Sequence, residues 1–133
     1  MDINLELKKS LVEHNPERLE DALYFLTQDN VFSKANTEVL CELLLQDWHF
    51  SHETIAHYLQ QLKDPFSIPY LAATATKRFE YLAYDDTYQL ARKCIKALAA
   101  IGTKEAISSL NNISMNENSA ISGYASKELI RIK

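Results

Sequence analysis

Apolar residues recur in this chain at intervals of three and four, and the residues that break helices are almost absent. Leu19, Ala22, Leu23 and Leu26 form one such stripe; Leu90, Ala91, Cys94, Ile95, Leu98 and Ile101 form another. That is the period of an α-helix with one buried face, not the alternation of a strand. Two glycines and three prolines in 133 residues leave too few turn formers for a sheet protein. The chain therefore reads as all-α. A chain of this length buries roughly two-thirds of its unfolded surface, so one domain over residues 1–133 can fold without disulfide or metal.

Eight helical segments can be marked. The first covers about Ile3 to Glu13, with Leu5, Leu11 and Val12 as its apolar positions. Pro16 restarts the chain as a second helix, because proline suits a first turn and Glu17 suits the positive end. Asp29 to Lys34 reads as a connection. Asn36 or Thr37 then caps a third helix, apolar on two faces: Val39, Leu40, Leu43 and Leu44 on one, Cys41, Leu45 and Trp48 on the other. Ser51 can cap a fourth, carrying Ile55, Ala56, Leu59 and Leu62. Asp64-Pro65 stops it, since the residue before proline avoids helical geometry. Pro69 opens a fifth helix through Leu71, Ala72, Ala75 and Phe79. After Tyr84-Asp85-Asp86-Thr87 the sixth begins, and Gly102 sits where a left-handed C-terminal cap is wanted. Thr103 caps a seventh, with Ala106, Ile107 and Leu110 inside. Asn118 or Ser119 starts the eighth, with Ile121, Ala125, Leu129 and Ile132 inside. Helices this short, with brief connections, are expected to pack as antiparallel pairs.

The pairs also resemble one another. Shifted by 34 residues, the sixth helix lands on the eighth: Ala91 on Ala125, Ile95 on Leu129, Leu98 on Ile132. The segments Asp64-Pro65, Ile68-Pro69-Tyr70-Leu71, Leu90 through Gly102 and Thr103-Lys104-Glu105-Ala106-Ile107 together resemble the HEAT-repeat family of small bacterial α-helical repeat proteins. The likeness is clearest over residues 64–133, weaker over 36–63, and leaves 1–35 as a divergent N-terminal cap. What it implies is a short α-solenoid of antiparallel helix pairs. The second helix of each pair would line the concave face, and the long surface would suit protein binding.

Several function classes recede on composition. Cys41 and Cys94 sit within apolar patterns and form neither a disulfide framework nor zinc spacing. The N-terminus lacks the basic and apolar regions of a signal peptide, and no run reaches membrane-span length, so a reducing cytoplasm is the expected location and no membrane is expected as a partner. There is no GxGxxG, P-loop or GxSxG sequence, so neither an enzyme activity nor a cofactor is expected. The net charge of −4 and pI near 5.5, with no base-reading motif, argue against nucleic acid. That net charge divides unevenly, −7 over residues 1–66 and +3 over 67–133. An acidic half suits a basic partner.

Three constellations remain. Trp48-His49-Phe50-Ser51-His52-Glu53, with His57 about a turn later, has metal-ligand residue types: His49, His52, Glu53 and His57 are the candidates. Against it, HEAT-like di-iron enzymes use several His-Glu dipeptides, and this chain has one; the competing reading is a helix-start turn with Trp48 and Phe50 in the core and His52 capping or packing. Phe79 through Tyr88 brings Tyr81, Tyr84 and Tyr88 beside Asp85 and Asp86. Tyrosines are frequent in interfaces; the competing reading packs Tyr81 and Tyr88 on the protein, and Asp85 or Asp86 is expected to cap the sixth helix. Arg92, Lys93 and Lys96 on the sixth helix and Lys127 and Arg131 on the eighth would form a cationic ridge if those helices stack. The expected partner-binding set is therefore Tyr81, Tyr84, Asp85, Asp86, Tyr88, Arg92 and Lys96. The expected function is non-catalytic protein binding by a chain that is monomeric when free. Small size, an acidic half and a helical-pair surface favour an immunity protein covering a basic bacterial toxin domain. An adaptor or assembly scaffold for a cytoplasmic complex is the alternative.

Overall fold

The computed structural model describes residues 2–29 and 33–132, and only the backbone of Asp29. Among the described residues there are eight α-helices and no strand: α1 (Ile3–Glu13), α2 (Pro16–Asp29), α3 (Thr37–Leu44), α4 (His52–Leu62), α5 (Ile68–Ala75), α6 (Gln89–Ile101), α7 (Lys104–Ile113) and α8 (Ser119–Ile132). Short 3-10 turns at Lys34–Asn36, Pro65–Ser67 and Glu80–Leu82 bridge some of them. Most of the expected connection from Asp29 to Lys34 lies outside the described residues.

Helix ends follow local chemistry. Asp2 accepts the backbone N–H of Leu5 and starts α1. Thr103 accepts that of Ala106 and starts α7, and Asn118 accepts those of Ala120 and Ile121 at the start of α8. Gly102, at φ 68°, closes α6 in the left-handed region while its N–H donates to Leu98 O. His14 and Lys63 take the same left-handed geometry after α1 and α4 despite their side chains. Ser51 and Asn36 occupy the positions expected of caps, yet neither side chain makes the capping bond.

One contiguous set of buried side chains runs from Leu7 in α1 to Ala125 in α8. Most helix contacts are of two kinds, with α6 packed in addition on α7. Each helix of the pairs α1–α2, α3–α4, α5–α6 and α7–α8 packs on its sequence neighbour. Helices also pack two along the chain: α1 on α3, α3 on α5, α5 on α7, and likewise α4 on α6 and α6 on α8. The α4–α6 contact is the most extensive, and α6 buries the small side chains of Ala91, Cys94 and Ala97, which let helices approach.

Some apolar positions lie elsewhere than the periodicity predicts. In α1 the buried residues are Leu7 and Ser10, whereas Leu5 is half-exposed and Val12 faces solvent. Leu45 and Trp48 follow the end of α3 and so share no helix face with Cys41. Phe79 is buried but lies beyond α5, just before a 3-10 turn. In α8, Ile121 and Ala125 are buried, Leu129 is partly covered and Ile132 is exposed, and Phe50, expected in the core, faces solvent.

Candidate functional site

The WHFSHE segment spans the end of the α3–α4 connection and the first residues of α4, and His49 and His52 turn inward. Nε2–H of His49 donates to Leu43 O at 2.7 Å, and its Nδ1 accepts the N–H of Ser51 at 3.0 Å. Nε2–H of His52 donates to Gln46 O at 2.5 Å, and its Nδ1 accepts the Tyr81 hydroxyl at 2.7 Å. Each ring thus acts as a neutral imidazole with one donor and one acceptor, both satisfied. Both residues are fully buried, and the rings stack at 4.1 Å between centroids. Phe79 covers the other face of His52 at 3.8 Å. Burial lowers both pKa values, that of His52 to about 4. Trp48 stacks on His14 at 5.2 Å and meets His49 edge-on, tying this connection to the end of α1. His57 is exposed and Glu53 only partly covered. The four metal candidates therefore do not converge, and among the described residues no three His, Cys, Asp or Glu side chains group as ligands.

The tyrosine-rich connection between α5 and α6 is laid over this network. Arg78 organises it: Nη2 donates to Ala83 O at 2.8 Å and Asp85 O at 3.1 Å, and the guanidinium stacks 4.4 Å above the Tyr88 ring. Asp85 accepts from the Thr87 backbone and hydroxyl and, through Oδ2, from Gln89 N–H at 3.1 Å, the first residue of α6. Those bonds, the Thr87 hydroxyl foremost, hold its carboxyl below the usual range. The predicted acidic cap is therefore Asp85, four residues before Gln89, with Tyr88 between them in a left-handed turn at φ 53°. Burial pushes the Tyr81 hydroxyl up to about 12. Of the predicted set, Tyr81 and Asp85 thus serve the interior and the helix start. Tyr84 and Asp86 face solvent, and Tyr88 is half-covered.

A cleft of about 210 Å³ opens beside this connection, floored by Leu82, Leu90, Ala91 and Ile121 and rimmed by Lys77, Arg78 and Asn116. Much of its polar rim is already engaged: Arg78 as above, Lys77 on Leu45 O, and Asn116 on the backbone N–H of Asn118.

The predicted cationic ridge is a groove. Arg92 and Lys96 of α6 face Lys127 and Arg131 of α8 across it, while Lys93 is not part of its lining.

The surface that periodicity alone passes over is the outer side of α2. Leu19, Ala22, Leu23 and Leu26 are buried against the core. That leaves Glu17, Glu20 and Asp21 exposed, with Tyr24 and Phe25 exposed by 60% and 40% and in edge-to-face contact at 6.0 Å. The one cation of α2, Arg18, lies beside Glu17, Asp21 and Phe25, but its charge is offset by Glu13 at 2.9 Å and Glu6 at 3.3 Å. The signal was present in the sequence as two large aromatics adjacent to, but off, a complete buried stripe. Comparison of the chain with known protein families, characterised proteins and solved structures finds no match.

Proposed function

We propose that this chain is a non-catalytic protein-binding module whose outer α2 face receives a basic protein domain. The observation that carries the reading is that face: three exposed carboxylates and two exposed aromatic rings, with Arg18 at its edge already paired with Glu6 and Glu13. Aromatic anchors supply contact area at small entropic cost, and unpaired carboxylates steer and orient a cationic partner. The scaffold in this reading is a short solenoid of antiparallel pairs of the HEAT-repeat kind. The alternation of neighbour contacts with contacts two helices along supports it, because stacked pairs touch in that pattern. The partner we favour is a basic toxin domain of bacterial origin, which would make the chain an immunity protein. The charge of −7 over residues 1–66 supports that choice.

The test is affinity capture from the chain's own cells with wild-type bait and with Asp21→Lys/Tyr24→Ser/Phe25→Ser bait. The expected result is a basic protein held by the wild type, released as salt rises and lost from the variant, that harms cells when produced without this chain. A harmless captured partner would favour an adaptor role. A partner retained equally by the variant would contradict the α2 assignment.

A further inference from the structure

We propose that the groove between α6 and α8 binds an acidic, extended peptide segment of a protein, at a site separate from the α2 face. Four cations line it: Arg92 and Lys96 on one wall, Lys127 and Arg131 on the other. Each pair stands four residues apart on its helix, where like charges repel. The groove holds one carboxylate, Glu128, which binds Arg131 at 3.1 Å. Among the described residues, Arg92, Lys96 and Lys127 have no carboxylate partner. Among the described residues, three of the four cations of this groove are therefore left without a balancing carboxylate.

The walls are also ordered in advance. The Tyr124 hydroxyl donates to Thr87 O at 2.5 Å, which fixes that ring against the α5–α6 connection. The Arg92 guanidinium lies 6.0 Å above the same ring. Ile95 of α6, which lines the groove, and Ala125 of α8 are each fully buried and anchor the two helices.

The spacing selects an extended chain. Four residues of helix rise about 6 Å. Alternate side chains of an extended strand lie about 6.7 Å apart on one face. Two carboxylates at alternate positions of a peptide would thus each meet one cation of a wall. A long polyanion is disfavoured, because the charged strip is about one helical turn long and the whole chain carries −4.

The test uses a labelled hexapeptide alternating glutamate with threonine, its glutamine counterpart, and fluorescence anisotropy at low and moderate salt. The glutamate peptide should bind at least about tenfold more tightly than the glutamine peptide and weaken as salt rises. Its amide-shift footprint should fall on α6 and α8. Lys96→Glu/Lys127→Glu should abolish binding, the milder Lys96→Gln/Lys127→Gln should weaken it, and Lys104→Glu on the exposed start of α7 should leave it unchanged. Circular dichroism of each variant checks that the fold is retained. Equal binding of the two peptides would overturn the proposal. So would equal losses from Lys104→Glu, a single-stranded oligonucleotide outcompeting the peptide, or self-association of this chain through the same groove.

Discussion

At the scale of single residues, the histidines decide between two chemistries that look identical in the sequence. His49, His52, Glu53 and His57 have the residue types of a ligand set, but a ligand needs a free ring nitrogen. All four nitrogens of His49 and His52 are spent on Leu43 O, Ser51 N–H, Gln46 O and the Tyr81 hydroxyl. No spacing rule reveals this, because Tyr81 reaches His52 from 29 residues away. Removing that hydroxyl strands a buried acceptor, so Tyr81→Phe should cost roughly 1–2 kcal/mol in denaturant unfolding. A change below a few tenths would show that the bond contributes nothing.

The same pair makes stability depend on pH in a defined direction. Unfolded, the His52 imidazole takes its proton near 6.5; folded, only near 4. Its neutral form therefore contributes full stability above pH 6.5. That contribution is lost as pH falls towards 4, because the unfolded chain then binds the proton that the folded one refuses. His49, also lowered by burial, adds in the same sense. The groups that bear on His52 are His49 and Lys77, which oppose its charge, and Asp47, which favours it. Stability should fall by roughly 1 kcal/mol per pH unit across this window. His52→Phe, which keeps a ring against Phe79, should flatten the slope even if it lowers stability throughout. A melting temperature independent of pH between about 7 and 5 would contradict the neutral-pair assignment.

At the scale of elements, boundaries were more legible than faces. The starts at Pro16, Thr103 and Asn118–Ser119 and the stop at Gly102 follow from capping chemistry, which is local and so readable from a few residues. Which side of α1 is buried was not readable. Leu5, Leu7, Leu11 and Val12 surround much of the helix, and only packing against α2 and α3 selects Leu7. Phe79 appeared to continue α5, whereas the helix stops at Ala75 and the phenylalanine is drawn in by His52. Gly102 tests the local account: at φ 68° a side chain is strained although the nearest atom would be 3.5 Å away, so Gly102→Ala should cost about 1 kcal/mol. Thr103→Ala, which removes the acceptor for Ala106 N–H, should cost about as much. Thermal unfolding of the two single variants checks both; a neutral Gly102→Ala would mean that the α6–α7 link relaxes out of the left-handed turn.

At the scale of the whole molecule, charge and surface work together. The sequence indicated an acidic half and a basic half, but not where either meets solvent. Folding turns the acids of α2 outward beside Tyr24 and Phe25 and brings Arg92, Lys96, Lys127 and Arg131 around one groove. The predicted tyrosine cluster divides instead. Tyr81 bonds to His52 in the interior, Tyr88 supports Arg78, and Tyr84 stays in solvent. The missed surface on α2 was hidden because a helix can show a complete buried stripe and still carry its largest side chains on the other side.

The central claim is that α2 is where the chain meets its partner, and amide hydrogen exchange of the captured complex against the free chain tests it most directly. Slowed exchange is expected over residues 16–28, with α6 and α8 unchanged. Protection confined to α6, α8 or the tyrosine-rich connection, with α2 exchanging as in the free chain, would contradict it.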